Sequence, residues 1–273
     1  MKQKIILLDI DGTIYDQKGH IPDSTRQAIK KAKQKGHTIL LCTGRSKGEI
    51  PDEIWELDLD GMIGSAGAYI LYQGKTLYHR PMEQESCDRL FSYLEERNIS
   101  YIAETNEAIY GNEAGMKYVQ AIIDERLKLN PKLVPDFLGK MVIIDTCRGL
   151  SGVNKVLYFD APYQFDVLQQ DLGAHYHIVP NSIIMSEMSS GEVSELGMTK
   201  AKGILTFLSL TGRELSDTIA FGDGLNDMEM IQTAHIGVAM GNAVEALKEV
   251  ADAVTKDVAD DGIYAGFEQF DLL

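Results

Sequence analysis

The chain has 273 residues, 44% of them hydrophobic and 25% charged, and carries a formal net charge of −15. Those values describe a soluble globular protein with a full core and length enough for two domains. The acidic balance argues against nucleic acid, whose binding rests on neutralising phosphates with Lys and Arg, and no apolar run approaches the roughly 18 residues of a membrane span.

The opening Met1-Lys2-Gln3-Lys4 leads straight into a short strand, with no cleavage site behind an apolar segment, so the cytoplasm is the expected compartment. Ile5-Ile6-Leu7-Leu8 reads as a buried strand that delivers Asp9-Ile10-Asp11-Gly12-Thr13. Two carboxylates two residues apart would emerge at its carboxyl end, the edge at which open α/β sheets bind ligands. On this segment alone a covalent aspartate nucleophile and a plain acidic turn are equally good readings. Next, Ser24-Thr25-Arg26-Gln27 resembles a capping box, Ala28, Ile29 and Ala32 supply a helical stripe, and Gly36 is a C-terminal stop. His37 to Cys42 reads as a second strand ending at Thr43-Gly44-Arg45. A third follows at Gly61–Ser65, then a hairpin over Tyr69–Tyr78 that turns near Gln73-Gly74. Strand–helix alternation of this kind implies a parallel, doubly wound sheet.

Residues 82–190 change character. A helix over Glu83–Arg97 precedes short strands at Ser100–Glu104 and Ala108–Tyr110, a helix at Ala114–Leu129 and a strand at Met141–Asp145. A strand at Lys155–Asp160, a helix at Tyr163–Asp171 and strands at His175–Val179 and Ile183–Glu187 follow. The order suggests an α+β insert with a mainly antiparallel sheet. From about residue 195 the alternation returns: helix Lys200–Leu210, strand Thr218–Phe221, then Gly222-Asp223-Gly224-Leu225-Asn226-Asp227. A helix through Ile231, a strand at Ile236–Ala239, Gly241-Asn242-Ala243, a helix at Val244–Val250 and a short strand at Ala253–Thr255 complete it. The expected architecture is an α/β core made of residues 1–81 and 191–273, with 82–190 inserted as a second domain.

Asp9/Asp11, Thr43 and Asp223/Asp227 each follow a short apolar run, so all belong on one carboxyl edge of the sheet, within reach of Lys200 at the start of a helix. Asp9 and Asp223 offer two carboxylate oxygens to a hard divalent cation; Mg²⁺ suits such a set, and no His/Cys cluster speaks for zinc. Thr43 offers a hydroxyl and nearby amides to phosphate oxygens, and Lys200 a point charge. Gly12 and Gly44 permit close backbone approach, while Gly222 and Gly224 allow a tight loop round Asp223. Singly, each element has a bland reading: a solvated lysine, an ordinary Thr-Gly-Arg turn, an acidic loop lacking the terminal Glu of an EF-hand. Their joint occurrence at matching strand ends favours chemistry. Other tempting residues do not: Cys42, Cys87 and Cys147 read as reduced, buried thiols. His175 and His177 lack a third ligand, and Met228 and Met230 read as helix packing.

The motifs resemble those of the haloacid dehalogenase (HAD) superfamily, specifically its Cof-like, class IIB phosphatases, which carry a large α/β cap between the second and third motifs. Asp9-Ile10-Asp11-Gly12-Thr13 matches the first motif, Thr43-Gly44-Arg45 the second, Gly197-Met198-Thr199-Lys200 the third and Gly222-Asp223-Gly224-Leu225-Asn226-Asp227-Met228 the fourth. Gly241-Asn242-Ala243 and Asp261-Gly262 resemble later signatures. One departure is Ala66-Gly67-Ala68, where many relatives have Asn-Gly-Ala.

The resemblance implies a Rossmann-like HAD core and a Mg²⁺-dependent phosphatase of a small phosphorylated metabolite such as a sugar phosphate, nucleotide or cofactor phosphate. In it Asp9 attacks phosphorus to form an aspartyl-phosphate, and Asp11 acts as general acid, then base. Mg²⁺ is held by Asp9, the backbone carbonyl of Asp11 and Asp223, with Asp227 completing the acidic set. Gly12, Thr43, Gly44, Lys200 and Asn226 serve the phosphate, and Arg45 a second anionic group. The insert is expected to act as a lid that selects substrate. No membrane or nucleic-acid partner is expected, and the chain is read as a monomer or homodimer. Two other functions share some of these features: a phosphomutase, which the large insert disfavours, and a non-catalytic phosphometabolite sensor, which would not need both Asp9 and Asp11.

Overall fold

The computed structural model describes residues 3–16, 18–129, 141–180 and 189–273. They fall into two compact units: Met1–Arg45, Asp52–His79 and Thr199–Leu273 in the first, Ser46–Pro51 and Arg80–Met198 in the second. The first begins with β1 (Ile5–Leu8), α1 (Asp23–Gln34), β2 (Thr38–Cys42), a short α2 (Asp52–Trp55) and β3 (Gly61–Gly64). Every residue of these three strands is buried, as a parallel sheet covered on both faces requires. The capping box expected at Ser24-Thr25-Arg26-Gln27 does not form. Helix α1 has already started at Asp23, behind Pro22, and the Ser24 hydroxyl is buried with no partner among the described residues. The hairpin of β4 (Tyr69–Tyr72) and β5 (Lys75–His79) turns through Gln73 (φ 48°) and Gly74 (φ 74°), the left-handed pair that a two-residue turn demands.

The second unit comprises α3 (Gln84–Glu96), β6 (Ser100–Glu104), β7 (Ile109–Gly111), α4 (Glu113–Leu129), β8 (Met141–Ile143), β9 (Lys155–Ala161), α5 (Phe165–Leu172), β10 (Tyr176–Pro180) and β11 (Ser189–Glu195). Its described strands form one sheet in the order β10-β11-β9-β6-β7-β8, antiparallel except where β7 meets β8. Phe91 of α3 stacks on Tyr101 of β6 at 5.2 Å, inside a core shared with Leu90, Tyr158 and Val193. The strand expected at Ile183–Glu187 lies outside the described residues. Strand β11, which the sequence reading did not anticipate, pairs on both sides and carries this unit on to Met198 rather than 190.

The chain returns to the first unit through α6 (Lys200–Thr211), β12 (Thr218–Gly222), α7 (Met228–Thr233), β13 (Ile236–Ala239), α8 (Glu245–Lys248), β14 (Ala253–Val254) and α9 (Gly262–Gln269). Its sheet has the order β14-β13-β12-β1-β2-β3-β4-β5, parallel up to β3, with β4 and β5 antiparallel at the edge. From β1 the connections step one way to β2 and β3; from β12 they step the other way to β13 and β14. Such a reversal opens a crevice at the carboxyl ends of the two central strands, and ligands of doubly wound folds bind there. No helix among the described residues is long and apolar enough to cross a membrane.

Candidate active site

Strands β1 and β12 run side by side with Leu8 opposite Phe221, so the residues that follow them, Asp9 and Asp223, emerge together at the switch point. Beyond Asp9 the backbone closes on itself: the Ile10 carbonyl accepts from the N–H groups of Thr13, Ile14 and Tyr15. Gly12 stands at φ +77°, and a Cβ there would lie 2.0 Å from Asp223 Oδ2. Backbone conformation and proximity both require glycine.

Lys200 is the first residue of α6, the end of a helix at which a cation is disfavoured. It is nevertheless buried, and its Nζ donates to Asp9 Oδ1 at 2.6 Å and to Asp227 Oδ1 at 2.5 Å. The Thr199 hydroxyl caps the helix by accepting from the Lys202 N–H. Two glycines let α6 lie close: a Cβ on Gly203 would stand 2.7 Å from the Cα of Gly67, and one on Gly67 2.2 Å from the Thr199 carbonyl oxygen. The other oxygen of Asp227 accepts the N–H groups of Asp223 and Gly224, both at 3.0 Å, and so fastens the acidic loop.

Asp9, Asp223 and Asp227 offer carboxylate oxygens within 4.8 Å of one another. Among the described residues these three acids face the single ammonium of Lys200, which leaves negative charge in excess. Burial, then repulsion from Asp227, lifts the Asp9 carboxyl to about 8 against the pull of Lys200. The same two causes lift Asp223 to about 7. Burial works to lower the Lys200 ammonium, but Asp227 and Asp9 overrule it and the net shift is upward. A divalent cation relieves crowding of this kind, and an all-oxygen donor set suits a hard one.

Thr43, just past β2, is buried, and its Oγ1 accepts from the Arg45 N–H at 3.1 Å. Ser65 and Ala66, both at φ 50°, donate their N–H groups to the carbonyls of Arg45 and Thr43. Two successive non-glycine residues in the left-handed region make a strained turn that clasps the Thr43 loop.

Asp11 is exposed, and Arg45 grips it with two prongs, Nε to Oδ2 at 2.9 Å and Nη2 to Oδ1 at 2.6 Å. The side chain of Asp11 is thus outside the three-carboxylate cluster, and Arg45, expected at an anionic group of the substrate, engages Asp11 instead. Gly44 has no described protein atom within 4 Å of where a Cβ would sit, so no contact inside the protein demands a glycine there. Asn226 is exposed, its Oδ1 folded back toward Gly224. Cys42 is buried and burial pushes its thiol up to about 12, which makes it inert. His175 precedes β10 instead of lying on it, and no histidine joins a metal-type cluster among the described residues.

One site residue had no role assigned from sequence. Asn242, two residues beyond Met240 at the end of β13, donates to the Gly12 carbonyl at 2.8 Å. Its position after another strand of the same carboxyl edge, flanked by glycine and alanine, was the available signal.

The sequence model of the haloacid dehalogenase-like hydrolase family matches residues 6–267. The Bacillus subtilis protein YkrA is 30% identical over 273 residues, covering 100% of both chains. Pyridoxal phosphate phosphatase YbhA of Escherichia coli is 28% identical over 270 residues, 96% of this chain and 97% of that protein. Among solved structures, the HAD subclass IIB sugar phosphatase BT4131 matches with a TM-score of 0.79 and 28% identity, over 99% of this chain and 100% of that one.

Proposed function

The chain belongs to the haloacid dehalogenase-like hydrolases, in their Cof-like, class IIB branch, and is a phosphatase; from that premise we propose that it hydrolyses a small phosphorylated metabolite with Mg²⁺ through an aspartyl-phosphate on Asp9. The observation that carries this reading is the setting of Asp9 itself: a buried carboxylate at the switch point, oriented by Lys200 and crowded by Asp223 and Asp227.

Asp9 attacks phosphorus, and the bond from phosphorus to the leaving oxygen breaks as the new acyl phosphate forms. Phosphoryl transfer needs mainly alignment and neutralisation of oxygen charge. The Thr43 hydroxyl, the Lys200 ammonium and the amides beside Gly12 and Gly44 supply part of both, with Asn226 at the mouth. Mg²⁺, held by Asp9, Asp223 and the Asp11 backbone carbonyl with Asp227 alongside, supplies the rest of the neutralisation. Asp11, protonated from solvent once free of Arg45, gives that proton to the leaving oxygen and then takes one from the water that hydrolyses the acyl phosphate. Arg45 occupies both Asp11 oxygens, so that ion pair opens before the proton travels, and Arg45 is then available to an anionic substrate group.

The similarity to a pyridoxal phosphate phosphatase and to a sugar phosphatase points the search at small phosphate monoesters. Purified protein with Mg²⁺ should release phosphate from members of a panel of such esters, and a chelator should abolish release until Mg²⁺ is restored. Asp9→Asn should lower kcat by at least ~10³-fold, in line with loss of a covalent nucleophile. A folded Asp9→Asn variant as fast as the parent would refute the covalent route.

A further inference from the structure

Resting on that reading of the site, we propose that Asn242 is a positioning residue, one that sets the metal-binding carboxylate of Asp223 against the turn following Asp9. Its side-chain amide ties three segments together. Nδ2 donates to the Gly12 carbonyl at 2.8 Å and lies 3.4 Å from Asp223 Oδ2, while Oδ1 accepts the Val258 N–H at 2.9 Å. The orientation of the amide is settled by that third contact. A backbone N–H can only donate, so the atom facing Val258 is the oxygen, and the NH₂ group necessarily points at the two acceptors.

The loop that carries Asn242 is itself anchored. Gly241 donates its N–H to the Lys256 carbonyl at 2.9 Å, and Val244 donates to the Asp223 carbonyl at 3.0 Å. A Cβ on Gly241 would stand 2.3 Å from the Asp257 nitrogen, so two backbones meet there with no room for a side chain. Asn242 is therefore a fixed post between β13 and the acidic loop after β12. Its chemistry suits the task. A carboxylate that must offer one oxygen to a cation is best oriented by a neutral donor on the other. A lysine in the same place would compete with the cation for Asp223, and an acid would repel it. Partners of this outer kind typically govern metal affinity by about 10–100-fold.

Mg²⁺ binding to the parent, Asn242→Ala and Asn242→Asp, read by titration calorimetry, tests the proposal, with folding checked by circular dichroism and melting temperature. Asn242→Ala should weaken Mg²⁺ binding by about 10–100-fold. Asn242→Asp keeps the oxygen for Val258 but turns an acceptor toward Gly12 and Asp223. With p-nitrophenyl phosphate at saturating Mg²⁺, it should lower kcat by about 10-fold or more and change KM less. If Asn242→Ala does not fold, the near-isosteric Asn242→Asp decides alone. A folded variant that binds Mg²⁺ and turns over like the parent would overturn the role of Asn242 and leave the site reading intact. A parent that binds no Mg²⁺ would overturn both.

Discussion

With folded values near 8 and 7, against an ordinary 3.8, Asp9 and Asp223 keep protons over a range in which the unfolded chain has lost them. Between about pH 4 and 7 the metal-free fold binds more protons than the unfolded chain, so these two groups make it less stable as pH rises. On the proposed site Mg²⁺ would take the ionised carboxylates, so its binding should release protons and tighten as pH climbs through about 7–8. The melting-temperature gap between Mg²⁺-loaded and chelator-treated protein should therefore widen from about pH 5.5 to 8.5; a gap independent of pH would contradict the assignment. At this scale the places of Asp9, Thr43 and Asp223 at strand ends, and of Lys200 at a helix start, were legible, because they follow from apolar runs and helix periodicity. The Arg45–Asp11 pair was not, because a rotamer chooses between partners that the sequence offers equally. Asn242 was half-legible: its place showed, but which side-chain atom faced which neighbour did not.

Helix α6 sets Lys200, and Gly203 sets α6. Alanine at position 203 would gain about 1 kcal/mol of helix propensity. Against that, its Cβ would meet Ile63 Cγ2 at 2.5 Å and the backbone of Gly67 at 2.7 Å, an overpacking that typically costs about 1–3 kcal/mol. Because Gly67 is backbone and cannot turn aside, Gly203→Ala should unfold at lower urea and lose activity together, as the helix start carrying Lys200 is displaced. In the neighbouring turn, Ala66→Asn should gain up to about 1 kcal/mol in the same melt, since asparagine tolerates φ 50° better than alanine does. Apolar runs made β1, β2 and β12 readable as elements. Strand β11 was hidden: Ser189-Ser190-Gly191-Glu192-Val193-Ser194-Glu195 holds one large apolar residue, and its place comes from pairing with β9 and β10. Even Gly191, which weakens a strand by propensity, is demanded there, because a Cβ would meet the Tyr158 hydroxyl at 2.5 Å. Helix α9 was hidden for a like reason, its Gly262 and Gly266 serving contact with Met240 and Phe221 rather than helix propensity.

Among the described residues the molecule forms two sheets, one drawn from both ends of the chain. The middle stretch holds two apolar clusters of its own, one including Phe91, Tyr101, Tyr158 and Val193, the other Ile102, Met116 and Phe159. It also buries an ion pair, Lys155 with Glu104 at 3.3 Å, to which the Ser46 hydroxyl donates. A fragment of residues 80–198 should melt cooperatively and bind no Mg²⁺, because it contains none of Asp9, Asp223 or Asp227. Lacking Ser46, it should be the less stable for a buried carboxylate short of one donor. That the chain alternates twice around a differently patterned middle was readable from periodicity; the reversal point between β1 and β12 was not, since pairing over such a separation leaves no local trace.

Ile5 pairs with Thr218, and the counter-charge of Asp9 sits on residue 200. On a ribosome, then, Asp9 is made almost first, and its partners Lys200, Asp223 and Asp227 come late. A polypeptide truncated before residue 200 carries Asp9 with β2 on one side of its strand but with neither the Lys200 ammonium nor β12 on the other. On the proposed mechanism the site is complete only once the final quarter of the polymer has been made, so half-made molecules should hydrolyse no phosphate ester.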